Sequence, residues 1–446
     1  MSSPQKNIQI KTKKTEKQTC SKMSLQRIQD NVMPVAVIGI GCLFPGSNDK
    51  EGYWRDITAG RNMVTEVPPS HFLIDHYFDP DPSVADKTYC RRGAFLSPIE
   101  FDPMAFGIPP TNLAATDTSQ LLSLLVAKQV LNDAFPEQLK NIDRSRIGVV
   151  MGVAAGLELL GEMANRLVKP NWIKGMREAG LPEDEVVDIC ERIMATHAPW
   201  KESTFPGLLG NVVAGRISNH FDLGGINCTS DAACASSFSA LSQGLNELYM
   251  GTSDVVLVGG ADTNNDTFLF VSFSKTPALS PTHDCRPFSD KADGMVLGEG
   301  IGMIAIKRLE DAERDGDQIY AVIRGIGASS DGKGSSIYAP VAKGQAVALR
   351  RCYEAASYSP ETVELVEAHG TATRAGDKVE VQALTTVFGD ETGRKDKQWC
   401  ALGSVKSQIG HTKSAAATAG IIKAVMGFDR FMFRGFKAVQ GEWNLV

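Results

Sequence analysis

No cysteine in this 446-residue chain stands in a Cys-x-x-Cys spacing, although there are nine: Cys20, Cys42, Cys90, Cys190, Cys228, Cys234, Cys285, Cys352 and Cys400. An odd, scattered set excludes a disulfide framework and points to a reducing compartment, so the chain reads as cytoplasmic. No apolar run approaches the length of a membrane span, and residues 1–33 lack the apolar segment of a secretory signal. With a formal charge of −6 and no basic stretch interleaved with aromatics, the chain has no surface for phosphate backbones, which excludes nucleic acid as a partner. Short-period repeats and low-complexity linkers are missing too. What is present is ordinary globular composition: 43% hydrophobic residues, enough to fill two domains or one large α/β unit.

Residues 1–33 carry Lys6, Lys11, Lys13, Lys14, Lys17 and Lys22 among Gln, Thr and Ser. With little there to bury, they read as a disordered, solvated tail. Order begins at MPVAVIGIGCLFPG, where a β-branched run leads into glycines as a strand entering a loop would. The glycines imitate a dinucleotide fingerprint, but Phe44 stands where its third glycine belongs. Further strands are predicted within 146–153, 254–262, 300–309, 319–329, 362–370 and 400–410. Between many of them lie helical patterns such as TSQLLSLLVAKQVLNDAF and SSFSALSQGLNELYM. The alternation predicts α/β layers with sheets covered on both faces, and hairpin character near 300–329. Residues 156–200 read as an extra helical excursion: a lid, a tunnel wall or a dimer contact.

Within ISNHFDLGGINCTSDAACASSFSALSQGLNELYMG, Cys234 sits among Ala232, Ala233, Ala235, Ser236 and Ser237, directly ahead of a helical pattern. Small residues allow a tight strand-to-helix elbow, which would present the thiol at a helix N-terminus where a thiolate is stabilised and backbone N–H groups can face an oxyanion. Only seven histidines are present, and two of them, His369 in EAHGTATRAGD and His411 in SVKSQIGHTKSAAATAG, occur in glycine-rich loops after strand patterns, with Lys406 five residues before the second. Such loops are where α/β sheets place their sites. One thiol and two imidazoles suit a two-stage reaction. Cys234 would carry an acyl chain as a thioester, while His369 and His411 would donate hydrogen bonds to the enolate oxygen formed as a malonyl thioester loses carbon dioxide. Lys406 would orient the loop or bias the local charge.

These residues resemble the signature of the ketosynthase (β-ketoacyl synthase) family, thiolase-like in fold. The likeness runs from about Met33 to about Lys423 through VAVIGIGCLFPG, DAACASS, SPTHDCRPFSDKADGMVLGEG, EAHGTAT and GSVKSQIGHTKSAAATAG. It is strongest to ketosynthase domains of multidomain polyketide and polyunsaturated fatty acid synthases. The resemblance implies a five-layer αβαβα architecture of two pseudo-symmetric halves, here 34–285 with the nucleophile and 286–446 with the histidine loops. It also implies a homodimer, an acyl carrier protein presenting acyl and malonyl groups on phosphopantetheine, and neither a cofactor nor a metal. By resemblance Cys234 is the acyl-accepting nucleophile, His369 and His411 the decarboxylation pair, Lys406 the supporting lysine and Glu367 the acidic residue of the histidine loop.

The sequence departs from that pattern in three places. Ala372 replaces a customary glycine, which matters if the position needs a positive φ. AGDKVE lacks a customary proline. After AGIIKAV the chain continues MGFDRFMFRGFKAVQGEWNLV, without the family's glycine-rich GFGGTN loop, and reads as truncated or frame-shifted. Two other readings compete with a condensing enzyme: a Cys–His peptidase, and a catalytically inactive ketosynthase or chain-length partner with a structural, dimerising role.

Overall fold

The computed structural model describes residues 33–429 apart from 137–141, 155–157, 335, 394 and 397. The lysine-rich tail before Met33 and the ending from residue 430 onward, both singled out above, lie outside the described residues. The chain runs through β1 (Val35–Leu43), α1 (Lys50–Thr58), the small antiparallel pair β2 (Thr65–Glu66) and β3 (Arg92–Gly93), α2 (Thr118–Ala134) and β4 (Ile147–Gly152). The helices α3 (Glu158–Leu167), α4 (Lys169–Glu178), α5 (Glu183–Ala195) and α6 (Val212–Phe221) follow, then β5 (Asn227–Ser230), α7 (Ser236–Tyr249), β6 (Val255–Asp262) and α8 (Thr267–Lys275). The remainder includes β7 (Gly300–Arg308), β8 (Ala321–Ile323), α9 (Ala342–Ala356), β9 (Leu365–Glu367), α10 (Arg374–Leu384), β10 (Ala401–Gly403) and α11 (Ala416–Asp429).

Six strands form one mixed sheet in the order β5–β4–β6–β7–β1–β8. Strand alternation sorts its side chains into two cores. Ile147, Val149, Met151, Val255, Leu257, Met303 and Ala305 face α2 and α6, whereas Val150, Val256, Val258, Ile304 and Ile306 face α7 and α11. Both faces are covered, as the continuous apolar runs predict. A two-stranded parallel sheet, β9 with β10, lies on the far side of α11, and its other face is covered by Ala346 and Tyr353 of α9 and Ala383 of α10. The layers are therefore helix, sheet, helix, sheet, helix, the αβαβα order of the thiolase-like fold.

Two sequence expectations are corrected here. The glycines after VAVI do not begin a loop; they lie inside β1, paired to β7 across a bulge between Val37 and Gly39. The bulge changes the strand's phase, so Val35 and Val37 share one core with Ile40 and Cys42. A Cβ at Gly39 would stand 2.8 Å from the Val130 carbonyl oxygen, and one at Gly41 would stand 2.7 Å from that of Val126. These glycines admit α2 onto the strand and have no phosphate to cradle. Nor do residues 300–329 form a hairpin: β1 inserts between β7 and β8 and pairs antiparallel with each. Local alternation cannot reveal a strand that arrives from a distant part of the chain.

Candidate active site

At the end of β5 the chain turns through Ala232 and Ala233 into a 3-10 turn, Ala233–Ala235, and from there into α7. Ala233 has φ +50°, a left-handed conformation that costs a non-glycine residue about 1–2 kcal/mol. The Asp231 carboxylate accepts from the Ala233 N–H at 3.0 Å, while Ser236 Oγ accepts from the Ala232 N–H at 2.9 Å and donates to the Ala233 carbonyl at 2.6 Å. The small and hydroxylated residues around Cys234 are thus the elbow's own fastening. Gly152, ending β4, abuts it: a Cβ there would stand 2.5 Å from the backbone of Ser236 and Ser237. Gly152→Ala is expected to cost about 2–3 kcal/mol of stability by overpacking, seen as a lowered denaturation midpoint, and to slow alkylation of Cys234. An unchanged midpoint would show that the elbow yields.

Cys234 is half-buried and opens on a cavity of about 140 Å³. Leu269 and Phe273 of α8 form apolar wall, and Asp117, Ser119, Asp262 and Lys413 contribute polar groups. Ala154 and Glu158 line it too, so the start of the helical excursion is a wall of this cavity. Burial pushes the Cys234 thiol up; the nearby Lys406 and Lys413 ammonium groups pull it back down, and a backbone hydrogen bond at Cys234 itself adds to their effect.

His369 follows β9, and His411 follows β10 and the helical turn Lys406–Ile409. Both loops leave carboxyl ends of strands, and they converge on the elbow. One donor atom each of Cys234, His369 and His411 lies within 4.8 Å of the others, and the two imidazole rings stand 5.5 Å apart, edge to face. His411 is 1% exposed and clamped by its backbone: its N–H donates to the Val296 carbonyl at 2.7 Å, and its carbonyl accepts from the Gly298 N–H at 2.9 Å. Its Nδ1 accepts the Lys413 N–H at 2.9 Å, which places the ring proton on Nε2. That Nε2 is buried and has no hydrogen-bond partner among the described residues, a donor waiting for an acceptor.

The electrostatics agree with neutral imidazoles. Burial, with Lys406, His369 and Lys413 close by, holds His411 well below the usual histidine range. Desolvation and the Lys406 ammonium hold His369, an exposed residue, below the usual histidine range. A histidine with a folded pKa below its unfolded value binds fewer protons folded than unfolded, so its stabilisation is complete above about pH 6.5 and is lost as pH falls below it. The melting temperature is accordingly expected to be lower at pH 5 than at pH 7.5, with the difference reduced in His411→Gln. An equal difference in both proteins would remove His411 from this account.

Lys406, 5% exposed, faces the carboxylates of Glu367 and Glu380 and the thiol of Cys234, and burial lowers its pKa. Glu367 accepts from the Val405 N–H at 2.6 Å and from Lys423 Nζ at 2.5 Å, tying β9 to the Lys406 turn and to α11. The acid that holds the histidine loop is Glu380 of α10, which accepts from the N–H groups of His369 at 2.7 Å and Gly370 at 2.8 Å. Sequence reading passes it by; the only signal is its place in AGDKVE. Ala372 has φ +62° and is fully buried, so the position does need the conformation that glycine would take freely, at a cost of about 1–2 kcal/mol. The Asp377 carboxylate, accepting from the Ala372 N–H at 3.0 Å, helps to hold it. Lys413, Asp262 and Asn265 also escape sequence reading, since no local spacing joins them.

A thiol and two imidazoles would also suit a soft divalent ion. The buried Lys406 and Lys413 side chains oppose a further positive charge there, and the donor set fits a neutral or anionic guest better. No helix among the described residues is long and apolar enough to cross a membrane.

Comparison with known proteins follows the same lines. The family model for the N-terminal domain of beta-ketoacyl synthase matches residues 33–312, and the model for its C-terminal domain matches 320–433. One subunit of the polyunsaturated fatty acid synthase of a Thraustochytrium species is 40% identical over 392 residues, covering 88% of this chain and 14% of its own length. Polyketide synthase GfsB of Streptomyces halstedii is 36% identical over 397 residues, covering 88% of this chain and 6% of its own. The chain thus spans a small part of these relatives. Among solved structures, the ketosynthase from module 6 of the bacillaene synthase of Bacillus subtilis superposes with a TM-score of 0.74 at 30% identity, covering 89% of this chain and 61% of that one. The PfaC keto synthase–chain length factor gives 0.78 at 30%, covering 89% and 42%. With family models spanning nearly the whole described chain, and with a thiol and two imidazoles converging from three strand ends of a thiolase-like fold, the chain belongs to the β-ketoacyl synthase family of acyl-transferring condensing enzymes.

Proposed function

We propose that this chain catalyses decarboxylative Claisen condensation between an acyl group on Cys234 and malonyl-acyl carrier protein, in fatty acid or polyketide synthesis. The Cys234 thiolate attacks an acyl thioester and expels the carrier's thiol, leaving the acyl group bound to Sγ. Malonyl carrier then enters; its carboxyl leaves as carbon dioxide, and the electron pair of the broken bond becomes an enolate whose oxygen takes hydrogen bonds from His369 and His411. The enolate carbon attacks the acyl carbonyl, a carbon–carbon bond forms, the C–S bond breaks and the thiolate returns to Cys234.

The observation that carries this reading is the buried, unpartnered Nε2–H of His411 beside the cavity-facing thiol. A peptidase needs one imidazole as a base hydrogen-bonded to its thiol. Two neutral imidazoles, each with a ring nitrogen within 4.8 Å of the other's and of the thiol, suit an oxyanion. Neither histidine lines the 140 Å³ cavity, which supports an acyl chain lodged there while malonyl approaches from the histidine loops. Lys406 and Glu367 act as supports, Lys406 by its charge and Glu367 by tying β9 to the Lys406 turn. The nucleophile-bearing half is 34–285 and the histidine-bearing half 286–446; the working unit is a homodimer served by an acyl carrier protein in a reducing, cytoplasmic setting.

Intact-protein mass spectrometry tests this reading. Incubation with an acyl thioester should add one acyl group, and later addition of malonyl carrier should consume it. A folded sample that takes up no acyl group would leave the inactive, structural role in its place.

A further inference from the structure

Lys413 is 7% exposed, yet its ammonium lies deep beside the site, donating to Asn265 Oδ1 at 2.8 Å and to the Gly298 carbonyl at 2.8 Å, with Asp262 Oδ1 at 3.0 Å. Asp262 is fixed in turn, its Oδ2 accepting from Ser414 Oγ at 3.2 Å. Burying a cation is costly unless it is paired and hydrogen-bonded, and here it is both. The residue also has φ +47°, in the left-handed region, where an L-residue persists only if its surroundings hold it. Its own N–H is the group that meets His411 Nδ1, and its side chain lines the same cavity as Cys234.

We infer that Lys413 is a positioning residue for the reaction: its side chain, pinned by Asp262, Asn265 and Gly298, holds a positive charge against the Cys234 cavity and braces the strained backbone that aims its N–H at His411. This deepens the proposed function and rests on Cys234 being the nucleophile. The groups that face Cys234 are Lys406 from the turn after β10, Lys413 itself, Asp262 from the end of β6, the imidazoles of His369 and His411, and Asp117 and Glu158 across the cavity. Of the two lysines, Lys413 is the one joined by hydrogen bonds to both the loop after β6 and the Val296–Gly298 strap, so it couples the thiol's charge environment to the position of His411.

The experiment is the pH profile of Cys234 alkylation by iodoacetamide in the full chain, read by site-resolved mass spectrometry. It reports on the thiol without any condensation, so it is independent of whether acyl transfer occurs. Lys413→Met is expected to move the midpoint up by about one pH unit, a tenfold slower reaction below it. Lys413→Gly, which accepts the backbone conformation but carries no charge, should move it the same way, and Lys413→Arg should restore it. Asp262→Asn, nearly isosteric and a safeguard should the lysine variants fail to fold, should move the midpoint down. An unmoved midpoint in Lys413→Met, a wild-type profile in Lys413→Gly, or an upward shift in Asp262→Asn would each overturn the inference.

Discussion

Cys234→Ala is expected to take up no acyl group from an acyl thioester and to form no condensation product, while still releasing carbon dioxide slowly from malonyl carrier. Among the described residues no other cysteine lines the cavity. The buried alternatives are poor nucleophiles, with Cys285 pushed up to about 12 and Cys90 to about 11 by burial, so almost none of either is thiolate near neutral pH. The decarboxylation donors do not involve the sulfur and remain in place, which is why that half of the reaction persists. Intact mass after acyl transfer, together with carbon dioxide release, checks both parts. An acyl adduct that survives the substitution would move the nucleophile elsewhere.

His411→Ala is expected to show the converse. Acylation of Cys234 should change less than about tenfold, and decarboxylation of malonyl carrier should fall by about 10²–10³, or about 2.7–4 kcal/mol, the usual effect of removing one preorganised oxyanion donor. The split follows from the geometry: the Nε2–H is satisfied by nothing among the described residues, so its interaction is made only when an oxyanion forms. Single-turnover measurement of the acyl adduct and of carbon dioxide release separates the two steps. Equal losses in both would show that His411 serves the elbow as a whole. Since His411 is held neutral by burial and by Lys406, the decarboxylation rate should not fall from pH 8 to pH 6 on its account.

The composition of the chain and the periods of its apolar residues are enough to set out the α/β layers, because alternation in a strand and the 3.6-residue repeat of a helix are local properties. Cys234, His369, His411 and Lys406 stand out as candidates for the same reason. Each lies in a short stretch of glycine, alanine or serine next to a strand or helix pattern, and that chemistry is written within a few positions. The insertion of β1 between β7 and β8 has no such mark, and the glycines of VAVIGIG do not disclose that their missing side chains make room for α2.

Long-range contacts alone decided the rest. Glu380 holds the His369 loop from eleven positions away, Lys413 meets Asn265 across 148 residues, and the Val296–Gly298 strap clamps His411. The thiol's state was likewise decided in three dimensions, where burial raises it and two lysines from a distant part of the chain lower it. The sequence by itself determined which residues are candidates to carry chemistry and on which kind of element each sits. Tertiary structure decided which charges face them, which proton His411 keeps and how tightly the elbow closes, because hydrogen bonds and desolvation depend on distance in space and not on separation along the chain.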